Sequence, residues 1–247
     1  TNLAFDEVHE FGLLNVPSGA AIHFLVVAED IAGNRATNDN AGAWFTVTNA
    51  SPSVVLLVDS YADGGFISPP PLDGYTDALD ALGVAYDVFD ATDGDEPTAA
   101  QLQLHRCVIW RMDELFAPPV TLVDKLAAYV TGGGSLLIAS MEGVTRLTEA
   151  GRADFNTDIL QIQSYTEDQP VDGIAGAPGE PIGSGILLSL DYSPYDELLA
   201  LLTWFGVTDP SDWIVPTTNA SPILLSDDAI VGVRSRQRLF GEHTASW

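Results

Sequence analysis

Ser140 closes the apolar run SLLIAS, Met141 and Glu142 follow it, and Glu242 and His243 follow the late run RLF, so the residues able to carry chemistry stand at the ends of strand-like segments. A serine, a histidine and an acid are the residue types of nucleophilic acyl transfer: a hydroxyl to attack, an imidazole to take its proton, a carboxylate to orient the imidazole. The spacing argues against that chemistry. At the end of the third apolar run, where an α/β hydrolytic fold displays its nucleophile, stands Met141, which has no ionisable group. Ser140 lacks the glycine two residues earlier that a strained elbow requires, and reads better as a residue that closes a strand and caps the next helix. Glu242 and His243, without a nucleophile, read as a hydrogen-bonded loop pair. Ser140, Glu142 and His243 are therefore weak catalytic candidates, and no enzyme activity is expected.

A second constellation is acidic. Asp59 and Asp63, with Gly64 and Gly65, follow the first apolar strand, and Asp90, Asp93, Asp95 and Glu96 leave the second. Both loops fall at the carboxyl edge of a parallel sheet, where such folds bind ligands. Oxygen ligands in this number suit Ca²⁺, a hard cation that takes six to eight of them. DATDGDE does not keep EF-hand spacing, however, and Asp with Gly is ordinary turn chemistry. Apart from Ca²⁺ no cofactor is expected. The single cysteine, Cys107, lies inside RCVIW, excludes an internal disulfide, and reads as a small buried hydrophobe. Gly132–Gly134 precede a strand and lack a following Lys-Ser/Thr pair, so they end a helix instead of cradling a phosphate.

These residues need elements to position them. SVVLLVDS, AYDVFDA, RCVIW and SLLIAS are strands. Helices are expected at about 74–82, where Tyr75, Ala78, Leu79 and Leu82 share a face, at about 98–104, and at about 119–130. Strands alternating with helices imply an α/β fold, a doubly wound and mainly parallel sheet with helices on both faces. The first fifty residues differ. AIHFLVVAED alternates Ile22, Phe24, Val26 and Ala28 against its other residues, IAGNRATNDNAG is a turn-rich connection, and AWFTVTN is a second strand, so a hairpin is expected. The division is residues 1–49, a linker at 50–53, and a domain over 54–247. Within the latter, 163–185 reads as a long surface excursion with Tyr192 and Tyr195 extending it, and VGVRSRQRLF as one strand presenting Arg234, Arg236 and Arg238 on one face.

The loop texture of VVLLVDS, GYTDALDALGVAYDVFD, CVIW and LAAYVTGGGSLLIAS resembles the class I glutamine-amidotransferase-like, flavodoxin-like domains of large secreted bacterial and archaeal proteins. The resemblance spans about residues 53 to 245. It implies that the strand matching SLLIAS should run into a Gly-x-Cys-x-Gly turn, with a His-x-Glu pair later in the chain. Here Ala139-Ser140-Met141-Glu142-Gly143 keeps only the last glycine, and Gly241-Glu242-His243 has the right residue types in altered order. Over about residues 10 to 48, Ala28, Asp30, Ala32, Gly33 and Asn34 resemble the last two strands of an immunoglobulin-like or fibronectin-III-like sandwich. A full sandwich takes about seven strands. The others would come from upstream in a longer precursor or from another polypeptide by strand addition.

Composition narrows function further. Thirty-five acidic residues face nine basic ones, a net charge of −26, with Lys125 the only lysine. Such a surface repels nucleic acid. No apolar run reaches the eighteen or more residues of a membrane span, so no membrane insertion is expected. An Asp-rich, Lys-poor chain fits an extracellular or cell-surface setting in which cations screen its repulsion. The expected function is a non-catalytic extracellular structural or assembly module of a larger surface or filament-forming protein. The alternative is an accessory ligand- or substrate-binding domain of a secreted peptidase or other hydrolase. Expected partners are other copies of the chain or other domains of the same precursor, met through Ile22, Phe24, Val26, Tyr192, Tyr195 and the three arginines.

Overall fold

Runs of five apolar residues can be strands buried on both faces or stretches of buried helix, and the flanking β-branched residues decide for strands here. A computed structural model describes residues 21–30, 32–48, 53–61, 71–206, 211–235 and 238–241. The chain divides into two compact units, 1–52 and 53–247.

In the first unit β1 (Ala21–Phe24) is followed by β2 (Val26–Glu29), β3 (Arg35–Asn38) and β4 (Phe45–Thr48). β1 pairs antiparallel with β4, Ile22 opposite Val47, and the Phe24 and Phe45 rings stack at 5.4 Å. The single hairpin expected from sequence is thus two ladders. Leu25 interrupts the first strand, and the supposed turn-rich connection contains β3, which pairs with β2. Asp30 closes that inner hairpin by accepting the Asn34 backbone and side-chain N–H groups at 2.8 and 2.7 Å, with Gly33 at φ 83°. Among the described residues these ladders do not extend into a sandwich.

The second unit begins with β5 (Val55–Asp59), α1 (Asp73–Ala81), β6 (Tyr86–Asp90), α2 (Ala99–Gln103), β7 (Cys107–Arg111), α3 (Val120–Thr131) and β8 (Ser135–Ala139). The strands stand in the order β6, β5, β7, β8, all parallel. Alternate residues serve opposite faces: Leu56, Val58, Val108, Trp110, Leu136 and Ile138 pack in one cluster, and Val55, Leu57 and Ile109 in another. Helices α2 and α3 cover the first through Leu102, Leu122, Val123, Leu126, Tyr129 and Val130, and α1 covers the second through Leu79. Each such side chain contributes about 1.5–3 kcal/mol on leaving water. The three glycines end α3. Gly132 caps it, Gly133 takes φ 102°, and a Cβ on Gly134 would lie 2.2 Å from the Tyr129 ring.

The remaining elements are α4 (Gly143–Glu149), a π-helical turn (Phe155–Leu160), β9 (Ile162–Gln169), β10 (Gly173–Gly176), β11 (Leu187–Ser189), α5 (Asp196–Trp204), β12 (Ser211–Pro216), β13 (Ser221–Ser226), β14 (Ala229–Ser235) and β15 (Arg238–Gly241). β15 adds parallel to β8, and β14, β13, β10 and β11 continue antiparallel, so the nine-stranded sheet is mixed instead of mainly parallel. β9 pairs with β12 in a separate ribbon. The supposed surface excursion at 163–185 therefore supplies two strands. VGVRSRQRLF divides between β14 and β15, antiparallel partners with Ser235 opposite Arg238, so among the described residues Arg234 and Arg238 stand on different strands instead of one. Among the described residues no helix is long and apolar enough to cross a membrane.

Candidate functional site

Because β5 and β7 are neighbours in the sheet but not in the chain order of the strands, their carboxyl ends open a crevice, the place where α/β folds bind ligands. Asp59 and Arg111 end these strands in register. Arg111 Nη1 reaches both Asp59 oxygens, at 3.1 and 3.0 Å, and its guanidinium lies 4.8 Å from the Tyr61 ring centroid. Tyr61 is buried, and its hydroxyl has no hydrogen-bond partner among the described residues; burial pushes the phenol far above its ordinary range.

Beyond Arg111 the chain turns sharply, because Asp113 Oδ1 accepts the amides of Leu115 (2.6 Å) and Phe116 (3.1 Å). That turn carries Glu114 beneath the connection from β8 to α4. One carboxylate oxygen, Oε2, accepts the Ser140 hydroxyl at 2.5 Å and the backbone amides of Met141 and Glu142 at 2.9 and 3.2 Å. Arg146 Nε donates to the Glu114 carbonyl at 3.0 Å. Glu114 is fully buried, and three donors are the usual condition for keeping a buried carboxylate in place. In a nucleophile elbow the amide after the nucleophile holds the developing oxyanion. In this chain the corresponding amides already hold an internal carboxylate.

Met141 is fully buried against Tyr195, Leu198 and Leu202, the last two on α5. Tyr195 ends a short 3₁₀ turn that leads into α5. The position expected to display a nucleophile is consequently apolar and covered.

Beside it lies a pair of buried acids. Glu142 contacts Arg146 at 3.2 Å, yet burial first and the Asp212 charge second outweigh that cation and raise its carboxyl from 4.5 to about 8. Asp212, on β12, accepts the Thr145 hydroxyl at 3.0 Å through Oδ2, while Oδ1 is buried with no partner among the described residues. Burial is the main cause that lifts Asp212 from 3.8 to about 7; the Thr145 hydroxyl opposes it, and Glu167 and Asp168 add to it. Glu142 thus favours its protonated form at neutral pH, and Asp212 holds its proton through the acidic range up to about pH 7.

The residues singled out from sequence are dispersed. Ser140 is fully buried and serves as a donor to Glu114, which corrects both its nucleophile and its capping readings. Glu142 belongs to the buried acid pair. His243 and Glu242 lie outside the described residues, as do Asp63 and Arg236. Asp59 pairs with Arg111 and Asp90 accepts from Thr92, and among the described residues no three metal-ligating side chains gather. Tyr195 is core instead of contact surface, and the half-buried Tyr192 donates to the Val171 carbonyl at 2.6 Å. Arg234 is held by both oxygens of Glu180, at 2.5 and 2.9 Å. Of the N-terminal trio, Ile22 is half-buried, and Phe24 and Val26 are exposed. Two of the residues that shape the site, Arg111 and Glu114, escaped the sequence reading despite a local signal: the run Arg111-Met112-Asp113-Glu114 puts three charges directly after a fully apolar strand.

No family model and no curated protein matches the chain. Among solved structures it is similar to a glutamine amidotransferase at 12% identity, over 76% of this chain and 88% of that one, with a TM-score of 0.46. It is also similar to a ThuA-like protein from Bacteroides uniformis at 10% identity, over 79% and 84%, with a TM-score of 0.45.

Proposed function

We propose that this chain is a non-catalytic module of an extracellular or cell-surface protein, an amidotransferase-like fold whose reaction centre has been converted into a structural joint. The observation that carries this reading is the Glu114 carboxylate, which takes the Ser140 hydroxyl and the amides of Met141 and Glu142, the second of them the amide that would follow a nucleophile at position 141. Burial of Met141 beneath Tyr195, Leu198 and Leu202 supports it, since a reacting carbonyl has no approach there. The net charge of −26 supports the extracellular setting. The two N-terminal ladders are then the closing strands of an immunoglobulin-like or fibronectin-III-like sandwich completed by the same precursor or by another copy.

The test is Met141→Cys in a Cys107→Ala background. The introduced thiol should alkylate at least about 100-fold slower than a free thiol, as when reaction waits on an opening of about 3 kcal/mol. Alkylation of the folded chain at the free-thiol rate would end the closed-centre reading. Sedimentation over a range of concentrations tests assembly, and a chain monomeric throughout, with and without Ca²⁺, counts against it. One observation favours the accessory-domain alternative: a cavity of about 190 Å³, lined by Ser60, Thr92, Met112, Phe116 and Leu122 among others, stays open at the crevice between β5 and β7.

A further inference from the structure

β11 is the outermost strand of the nine-stranded sheet on the side away from the parallel core. Its inward bonds are fixed by flanking residues: the Leu190 N–H donates to the Asp172 carbonyl and the Gly176 N–H to the Ile186 carbonyl, each at 2.9 Å. Backbone groups alternate sides along an antiparallel strand. Leu187 and Ser189 therefore direct their N–H and C=O groups outward, where no described strand receives them. Natural edges are blunted by shortness, by lysine or proline, or by a bulge. β11 is three residues long, but Ile186-Leu187-Leu188-Ser189-Leu190 carries no lysine, proline or bulge, and Leu187 is 81% exposed.

The strand is also held stiffly. A Cβ on Gly183 would lie 2.2 Å from the Ile223 carbonyl oxygen, and one on Gly176 1.6 Å from that of Gly183, so backbone packs on backbone immediately before β11. Next to the edge runs a groove of about 830 Å³, lined by Ile174, Leu187, Leu188 and Trp213 with Asp172 and Asp227. No lysine or arginine lines it.

We propose that β11 is a strand-addition site for an extended peptide segment of alternating apolar residues flanked by lysine or arginine. The outward backbone groups of Leu187 and Ser189 would pair with the peptide. Alternate apolar side chains would enter the groove beside Trp213 and Leu188, and the basic flanks would meet Asp172 and Asp227. Charge selects this occupant over a second copy of the chain, because two copies would bring the same acidic rims together at −26 net charge each. The proposal gives the accessory-domain alternative of the previous section a partner class, and rests on that reading only for its purpose.

The probe is a fluorescein-labelled nine-residue peptide, Val-Thr alternating between two lysines at each end, titrated with the full chain by anisotropy. Binding at about 10–100 µM is expected, the range for a short segment paying its own ordering entropy. Leu187→Pro removes an outward N–H that no ladder bond uses, and Leu187→Lys adds a repelling charge at an exposed position. Each should weaken binding at least tenfold, with circular dichroism unchanged. A control peptide with proline at alternate positions and the same lysines should not bind. Equal binding of that control would mean charge attraction alone and would overturn the proposal, as would no binding of the probe by 1 mM (roughly −4 kcal/mol). Self-association abolished by Leu187→Lys would assign the edge to a second copy, and also overturn it. Alkylation of Met141→Cys reads the closed centre independently, so either reading can fail alone.

Discussion

Replacing Asp212 by asparagine should flatten part of the pH dependence of stability. Asp212 is fully buried on β12, with Oδ2 on the Thr145 hydroxyl and Oδ1 unpartnered among the described residues. Its carboxyl is raised from 3.8 to about 7, chiefly by burial. Between those values the unfolded chain has lost this proton and the folded chain keeps it, so unfolding releases a proton. Stability then falls as pH rises, by about 1.4 kcal/mol per unit. Over about three units the loss is roughly 4 kcal/mol, absent below pH 4 and complete above pH 7. Asparagine keeps the shape and cannot ionise. An amide N–H left unpaired beside Thr145 costs about 1–3 kcal/mol, the same at every pH. The quantity to measure is therefore the difference between Asp212→Asn and the parent, from urea unfolding followed by tryptophan fluorescence at pH 4, 6 and 8. Taking the difference largely cancels the repulsion of the remaining charges. It should move in favour of the variant by roughly 4 kcal/mol between pH 4 and 8. Glu142, raised from 4.5 to about 8 partly by the Asp212 charge, should ionise more easily in the variant and add to the gain. A difference that stays constant across this range would refute the assignment of a buried proton to Asp212.

Other substitutions probe the joint and the sheet extension. Glu114→Ala strands three donors, and should cost about 3–5 kcal/mol in urea unfolding, against about 1–2 for Glu114→Gln, which keeps an acceptor. A cost below about 1 kcal/mol for the alanine variant would show that the turn is held by other contacts. Gly183→Ala drives a methyl group into the Ile223 carbonyl, and should cost about 3 kcal/mol and raise amide exchange first in β10 and β11, while β5, β7 and β8 keep their protection.

The parallel core was legible because β5 and β7 are buried on both faces. Val55–Val58 and Val108–Trp110 are apolar without interruption, and the helices between them repeat at a period near 3.6, so the alternation of strand and helix, and with it parallel pairing, follows from pattern. The antiparallel extension was not. β9 has mixed burial, β10 is Gly-Ile-Ala-Gly, and both gain strand character from partners far along the chain, β12 and β13. The split of VGVRSRQRLF into two strands was hidden for the same reason: Arg234 takes its place from Glu180, 54 residues away. At the site, Met141 was legible as a residue without an ionisable group, but its setting depends on Glu114 and on Tyr195, and no local spacing links those residues. Asp212 had no signal at all, since its partner Thr145 is 67 residues distant.

The Glu114 clasp also bears on how such a fold could change its use. Three separate elements close over the β8–α4 turn: the loop after β7 supplies the carboxylate, the turn itself supplies methionine, and the turn into α5 supplies the cover. A thiol placed at position 141 would find its neighbouring amides already committed to Glu114, removing Glu114 would loosen the turn, and opening α5 would expose its apolar face to water. Each single change therefore loses stability without freeing an anion pocket, so any route to acyl-transfer chemistry at this position runs through several less stable proteins.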